Sequence, residues 1–569
     1  MASSKTSSTR PDRAPPPPSE DLQDWEGRHA QELAASRKPA FKSSSGLPLE
    51  PVYTPEQLQR AGWDFARDVG YPGEAPWTRG FIPGGYRQQL WKTEMYAGFG
   101  SAEEANQRYR YLMSQGSTGG ISIALDLPTQ VGYDSDHPMA RDEVGQIGVA
   151  LTSLDDVERV FEGIPLEKVG HIFSTANAIG PIVCAWLLAL YEKRGTPTGD
   201  CIVQLQNDPI KEYVARGTQF LPIEAAVKLA TDMIEHCRSA APEWLPISVS
   251  GSHMKQAGAT VIQEAAFTIC NGITYVESCL KRGMRIDDFG HVLELHFCTE
   301  MDFFEEIAKY RAVRKVWTRL VRERFGGTTE RAQHFRLHAA TSGRPLTAQQ
   351  PLNNIARITL QALAQILGGC EQTRTASFDE ALGIPTQEAA RTSIRANQII
   401  AYESGVPDTV DPLGGSYHVE HLTLAFEREI EAIIREVDAM GGALAAVHSG
   451  YYQRALSRGA YREACAIESG EQVVVGVNRF QSDEAQPVPT FKLDPGAAQR
   501  QIERLQSVRA RRDAAAVQRT LEELRVVCRS GANVMPAIVA CVKTYATIGE
   551  IADVWREVYG TYVPQAVRF

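Results

Sequence analysis

At 569 residues, 43% of them hydrophobic, the chain is long enough for a large core and for two or three structural units. Its 59 basic and 69 acidic residues leave a net charge of -10 with no basic stripe to offset it, which excludes non-specific binding to nucleic acid or to an anionic membrane. The ten cysteines form no C-x-x-C pair and read as reduced thiols; no apolar run spans a bilayer and no secretory signal opens the chain, so a cytoplasmic protein is expected.

Residues 1–20 are rich in Ser, Thr, Arg and Pro and predict a disordered tail. Residues 21–75 predict a charged, exposed helix and then an extended arm marked by Pro48, Pro51 and Pro55, placed to wrap another surface. Between residues 76 and 410, short β-type runs alternate with helical patterns, as in parallel βα units. The strands are expected at Glu94–Gly98, Ile121–Asp126, Val169–Thr175, Cys201–Gln206, Ile247–Ser252, Val292–Cys298, Phe335–Thr341 and Glu371–Ala376, with a further run at Ile147–Leu151 leaving the count open by one. Eight such units predict an α/β fold of the closed (β/α)8, TIM-barrel type, whose chemistry gathers at the C-terminal ends of the strands.

Residues 411–569 begin with the turn-rich break Asp411–Tyr417 and continue as amphipathic stretches at Leu422–Ala439, Gly442–Arg462 and Gly496–Ser507. A mostly helical region is expected, with the strand-like run Val473–Phe480 as its exception.

Among the side chains suited to chemistry, His253 stands in SGSHMKQAGA, between an apolar alternating run and a small-residue helix start. A neutral imidazole at a strand end can donate a hydrogen bond to a substrate carbonyl. Gln206 ends the run CIVQLQ and offers a second donor, whereas Asp208 reads as a structural carboxylate capping the following helix. Arg216 is either a solvated charge or a clamp for a carboxylate, and Tyr96, in YAGF, is either core packing or a ring facing the barrel mouth. Asp134–His137 (DSDH) reads as a hydrogen-bonded turn, and Glu380 in SFDEALGIPT can be a helix-start carboxylate. His334/His338 and His418/His421 have the closest ligand-like spacings but no cysteine or further histidine beside them, so no metal site is assigned.

SGSHMKQAGA, YAGFG at Tyr96–Gly100, DLPTQVGYDSDH at Asp126–His137 and QND at Gln206–Asp208 together resemble the catalytic barrel of the methylmalonyl-CoA mutase family, from about Trp77 to Tyr562. The resemblance implies an isomerase (intramolecular transferase) that rearranges an acyl carbon skeleton by radical chemistry with adenosylcobalamin. By position, Tyr96, Gln206 and His253 match the family's active-site tyrosine and its two carbonyl-binding residues, and Arg216 matches the arginine that holds a substrate carboxylate. Leu125, Leu127, Gln130, Arg336, Gly343, Glu380 and Ala381 fall where the family contacts the corrin or adenosyl group.

The family's D-x-H-x-x-G cobalamin motif is absent from this sequence. The expectation is therefore the large subunit of a split mutase, with the cofactor held mainly by a small cobalamin-binding subunit and two large subunits paired in a heterotetramer. The competing reading is a non-catalytic scaffold or chaperone-like subunit for a cobalamin protein. In the substrate channel Gln89, Lys92 and Glu94 stand at positions where the family carries arginine or hydroxyl side chains, Gly84–Gly85 replace larger contacts, and Val292 and Glu294 replace a further arginine and serine. Each lost charge-assisted contact to CoA is worth about 1.5–3 kcal/mol. The pattern predicts either an acyl carrier that is not CoA in its usual pose, or an acyl group that is small, free or otherwise tethered.

Overall fold

The computed structural model describes residues 20–38, 40–117, 119–482 and 488–564; all but the last residue of the expected N-terminal tail lies outside them. Nine parallel strand segments form its centre: β1 (Lys92–Glu94), β2 (Tyr96–Ala97), β3 (Ile121–Ile123), β4 (His171–Thr175), β5 (Ile202–Gln206), β6 (Ile247–Ser250), β7 (Leu293–Thr299), β8 (Arg336–Thr341) and β9 (Gln372–Arg374). β1 pairs with β9 and β2 with β3, and only Met95 separates β1 from β2, so these segments are two halves of one strand that changes neighbour part-way. One run of neighbours is β2-β3-β4-β5 and the other is β6-β7-β8-β9-β1. The two runs meet where Leu205 N–H donates to the Leu245 carbonyl (2.9 Å) and Leu245 N–H to that of Val203 (2.8 Å). The result is a closed ring of eight parallel strands, the predicted TIM-type barrel.

Two local expectations change. The run at Ile147–Leu151 is a loop that clips onto the tip of β3: Val149 N–H donates to the Ala124 carbonyl (2.7 Å) and Asp126 N–H to that of Val149 (3.1 Å). Gly148 permits this with φ +117, since a Cβ there would strike the Leu125 backbone. Val473–Phe480 likewise holds only an isolated bridge between Val475 and Arg479, closed around the Asn478 side chain.

Helices cover the outside of the ring, and the apolar core forms two masses on its flanks. One joins Val261–Leu280, Phe303–Glu323 and Tyr417–Ala439 around Phe267, Trp317 and Phe426. The other packs Gly180–Arg194 against Met535–Lys543 and Ile548–Tyr559 around Trp186 and Trp555. Gly180–Arg194 is apolar on nearly every side because it lies between the barrel and those C-terminal helices.

Buried ion pairs tie the parts together. Lys315 reaches Asp68 (2.9 Å) and Glu427 (2.5 Å), and Arg311 reaches Asp411 (2.5 Å) and Glu420 (2.6 Å). The N-terminal arm, expected to wrap another surface, docks on this chain's own helix: Ser43 Oγ donates to Glu305 (2.5 Å), with Ser44 and Ser45 on the same carboxylate. Asp134 accepts from Thr547 Oγ1 (2.7 Å) and Gly549 N–H (2.8 Å), so the predicted turn also anchors the last helix.

Candidate active site

Alternate residues of a strand face the lumen, and here those positions are polar where a TIM barrel is usually filled by branched apolar side chains. A middle layer is made by Glu94, His171, Gln204, Glu294, His338 and Gln372, none more than 4% exposed. His338 lies between two carboxylates, with Nε2 3.3 Å from Glu94 and Nδ1 3.4 Å from Glu294. Burial opposes charge on this imidazole, but Glu94 and Glu294 win and raise its pKa above the ordinary histidine value. Burial would also raise Glu94; His338 and Arg374 overcome it and hold the carboxyl below its usual range. Gln204 and Ser248 donate to Glu294, and Gln372 donates to Glu94 (3.1 Å).

Above this layer, at the C-terminal mouth, stand Tyr96, Phe173, Thr175, Gln206, His296 and Arg374. The Tyr96 and Thr175 hydroxyls share a hydrogen bond of 2.6 Å. The Gln206 amide lies 3.3 Å from His296 Nδ1, and Arg374 donates to His296 Nε2 (3.2 Å). The Arg374 guanidinium also lies over the rings of Tyr96 (4.9 Å) and Phe173 (5.1 Å).

His253 is the second residue of the short helix Ser252–Gln256, which follows β6 after Gly251. Its Nδ1 is buried without a hydrogen-bond partner. Burial, followed by the positive charges of Lys211, Arg216 and Arg374, pushes its pKa well below the ordinary value, so the imidazole is neutral. The Lys211–Glu212 ion pair (2.5 Å) is fully buried, and Arg216 stands 3.6 Å from the same Glu212 with its side chain 22% exposed. Asp208 is structural, accepting from Ser250 N–H (2.8 Å) and Tyr275 OH (2.7 Å), and so pins the end of β5 to that of β6 rather than capping a helix.

Sequence-predicted cofactor residues divide. Leu127, Gly343, Glu380 and Ala381 lie on the rim formed by the loops after β3, β8 and β9, with Leu127 43% exposed. A Cβ at Gly343 would collide with Glu380 Oε1, so the glycine lets that carboxylate lie against the β8 loop. The Glu380 side chain is exposed as a whole, yet protein surrounds its carboxyl closely enough for burial to raise its pKa to about 7 against the pull of Arg374. Leu125 and Gln130 are buried below the rim, the Gln130 amide donating to the Leu125 carbonyl (2.6 Å). Arg336 is not brought to this site: it opens β8 and therefore lies at the opposite mouth.

The predicted substrate residues divide too. Gln89 and Lys92 line a cavity of about 440 Å³ at the N-terminal mouth, together with Arg336, Trp91, Phe335 and His334. Glu94 and Glu294 lie deeper, in the filled middle layer. Reading the strands as apolar alternation missed His296, His338 and Arg374. Their signal was present as polar residues two apart within buried strands: Glu94/Tyr96, Gln204/Gln206, Glu294/His296, Arg336/His338 and Gln372/Arg374.

Glu294, His296 and His338 offer ligand atoms within 4.8 Å of one another, the spacing of a possible cation site. Both His296 nitrogens are engaged, by Gln206 and Arg374, and the guanidinium opposes a second cation there.

The description "Methylmalonyl-CoA mutase" belongs to the family model that matches residues 42–561. The chain belongs to the methylmalonyl-CoA mutase family. It is 40% identical over 547 residues to the 2-hydroxyisobutanoyl-CoA mutase large subunit of Aquincola tertiaricarbonis, covering 95% of this chain and 96% of that one. It is 37% identical over 551 residues to the methylmalonyl-CoA mutase of Rhizobium meliloti (strain 1021), covering 96% and 76%. To the mitochondrial methylmalonyl-CoA mutase of Homo sapiens it is 36% identical over 524 residues, covering 92% and 69%. As a member of this mutase family the chain is an isomerase of the intramolecular transferase class, and the family uses adenosylcobalamin. Among the described residues no helix is long and apolar enough to cross a membrane.

Proposed function

We propose that this chain is the large subunit of an adenosylcobalamin-dependent carbon-skeleton mutase that acts with a separate small cobalamin-binding chain on a carboxylate-bearing acyl substrate. The observation that carries the reading is His253 Nδ1, buried at the C-terminal mouth of the barrel with no partner in the protein. Leaving a buried polar atom unsatisfied costs about 1–3 kcal/mol, which a bound substrate carbonyl would relieve.

The neutral His253 imidazole donates to that carbonyl without surrendering a full proton, and Gln206 presents a second amide from the end of β5. Tyr96, held by Thr175, flanks the mouth on one side, while Arg216 offers a guanidinium for the carboxylate. The filled middle layer keeps water from entering along the barrel axis. The rim of Leu127, Gly343, Glu380 and Ala381 suits a broad, largely apolar macrocycle: it has an exposed leucine, and a glycine where a Cβ would displace a carboxylate. Adenosylcobalamin supplies, when bound, reversible carbon-radical chemistry that removes a substrate hydrogen atom and later returns it. A scaffold would have no use for an unpartnered imidazole in a buried mouth.

The test combines this chain, a small cobalamin-binding chain and adenosylcobalamin, then adds short-chain acids and acyl thioesters while Co(II) is followed by electron paramagnetic resonance. Substrate-triggered Co(II) is expected with at least one of them. Its absence across the panel, with the complex assembled, overturns the reading.

A further inference from the structure

We infer that Arg344 is a positioning residue for His253: with Lys255, Glu300 and Glu463 it clamps the short helix that carries the imidazole onto the turn after β8, so that the carbonyl donor and the cofactor rim hold one spacing. This inference deepens the mutase reading and rests on it.

The helix that bears His253 cannot hold its own aim. Ser252–Gln256 has five residues, well short of the roughly 12–15 that an isolated helix needs to persist in water. His253 Nδ1 has no hydrogen-bond partner, so the ring takes its direction from the backbone beneath it. Met254 anchors one side in the apolar core. At the far end Gly258, with φ +118, lies so close to the helix Tyr451–Glu468 that a Cβ on Gly459 would sit 1.9 Å from the Gly258 carbonyl oxygen. Charged groups hold what remains.

Lys255, 4% exposed, pairs with Glu300 just beyond β7 (2.8 Å), and Glu300 also accepts from Ser342 Oγ (3.3 Å) on the turn after β8. Arg344 leaves the same turn, its backbone N–H donating to Ser342 Oγ (3.2 Å). Its guanidinium donates through Nη1 to the Lys255 carbonyl (3.4 Å) and pairs through Nη2 with Glu463 (2.5 Å). Lys255, Glu300, Ser342 and Arg344 therefore close a circuit that joins the His253 helix to the ends of two strands. Gly343, whose missing Cβ makes room for Glu380 on the rim, is the residue between Ser342 and Arg344. Gly459 and Glu463 stand four apart and so share one face of their helix, the first against Gly258 and the second on Arg344. A planar guanidinium spans two acceptors at a fixed angle, which an ammonium does not. Displacing a reacting contact by about 1 Å can lower a rate about a hundred-fold, so the circuit bears on the chemistry without touching substrate.

Amide hydrogen exchange of the full chain, and turnover of the assembled holoenzyme with the acids and thioesters of the Co(II) assay, test the inference. Arg344→Met is expected to speed exchange of the Lys255, Ala257 and Gly258 amides by about tenfold or more. It should lower kcat by about ten- to a hundred-fold with KM nearly unchanged, as for a contact that matters only in the transition state. In a His253→Ala background the same change should lower kcat by no more than about twofold, because the group it positions is gone. Arg344→Lys keeps a cation for Glu463 and should recover part of the loss. Should Arg344→Met fail to fold, Glu463→Gln carries the same comparisons. Unchanged exchange, unchanged kcat, or an equal fall in kcat with and without the His253 imidazole overturns the inference alone when the wild type forms Co(II). Faster exchange in the variant with no Co(II) from any compound overturns the mutase reading and leaves the clamp standing.

Discussion

Glu94→Gln removes one of the two carboxylates facing His338 while keeping the side chain's size and an oxygen for Gln372. Below the ordinary histidine pKa His338 carries its proton in both folded and unfolded chains, and the wild-type ion pair contributes fully. As pH rises through the raised folded pKa of His338 that contribution disappears; as pH falls through the lowered folded pKa of Glu94 it is also lost. Breaking a buried pair by removing one partner costs about 3 kcal/mol. For 569 residues the unfolding entropy is roughly 1.2 kcal/mol/K, at about 2.1 cal/mol/K per residue. The variant should therefore melt about 2–3 °C below wild type near pH 6, and within about 1 °C of it near pH 9. Scanning calorimetry of both proteins across that range is the assay. An equal difference at both pH values, or a larger one at pH 9, refutes the assignment of His338 as a cation held by two carboxylates.

His253→Ala should lower kcat by about a hundred- to a thousand-fold, the usual loss for one donor at a developing negative charge. Its melting temperature should stay within about 1 °C of wild type, because Nδ1 has no protein partner to lose. Arg216→Gln should raise KM for a carboxylate-bearing substrate by about tenfold or more in steady-state assays, with an unchanged KM removing its role as clamp. Gly343→Ala should push Glu380 off the rim and weaken assembly with the cobalamin-binding chain by about tenfold, read by titration calorimetry. Lys315→Met leaves Asp68 and Glu427 buried without their shared lysine and should cost about 3 kcal/mol in stability, read as a lower melting temperature.

The barrel was legible because its strands are short, apolar and regularly spaced, and the rim and mouth residues because they follow strand ends. Tyr96, Gln206 and His253 could be placed that way without knowing which strands were neighbours. Glu94 and Glu294 could not be interpreted in the same way, since their meaning depends on His338, a residue on another strand that only ring closure brings between them. Arg336 differs for a related reason: it is the first residue of β8, so it stands at the N-terminal mouth and not with the rim residues that follow strand ends. The Ile147–Leu151 run had the composition of a strand, yet without a partner along its length it became a clip on β3.

The ion pairs that cross from the barrel to the C-terminal helices bear on how the chain is made. All eight strands have left the ribosome once Arg374 has emerged, but Lys315 still lacks Glu427, Arg311 lacks Asp411 and Glu420, and Asp134 lacks Thr547 and Gly549. Before those helices dock, Arg311 has neither of its carboxylates and Lys315 has Asp68 alone. Docking of the C-terminal helices is therefore what completes the charge pairing of a wall whose strands are all made before them.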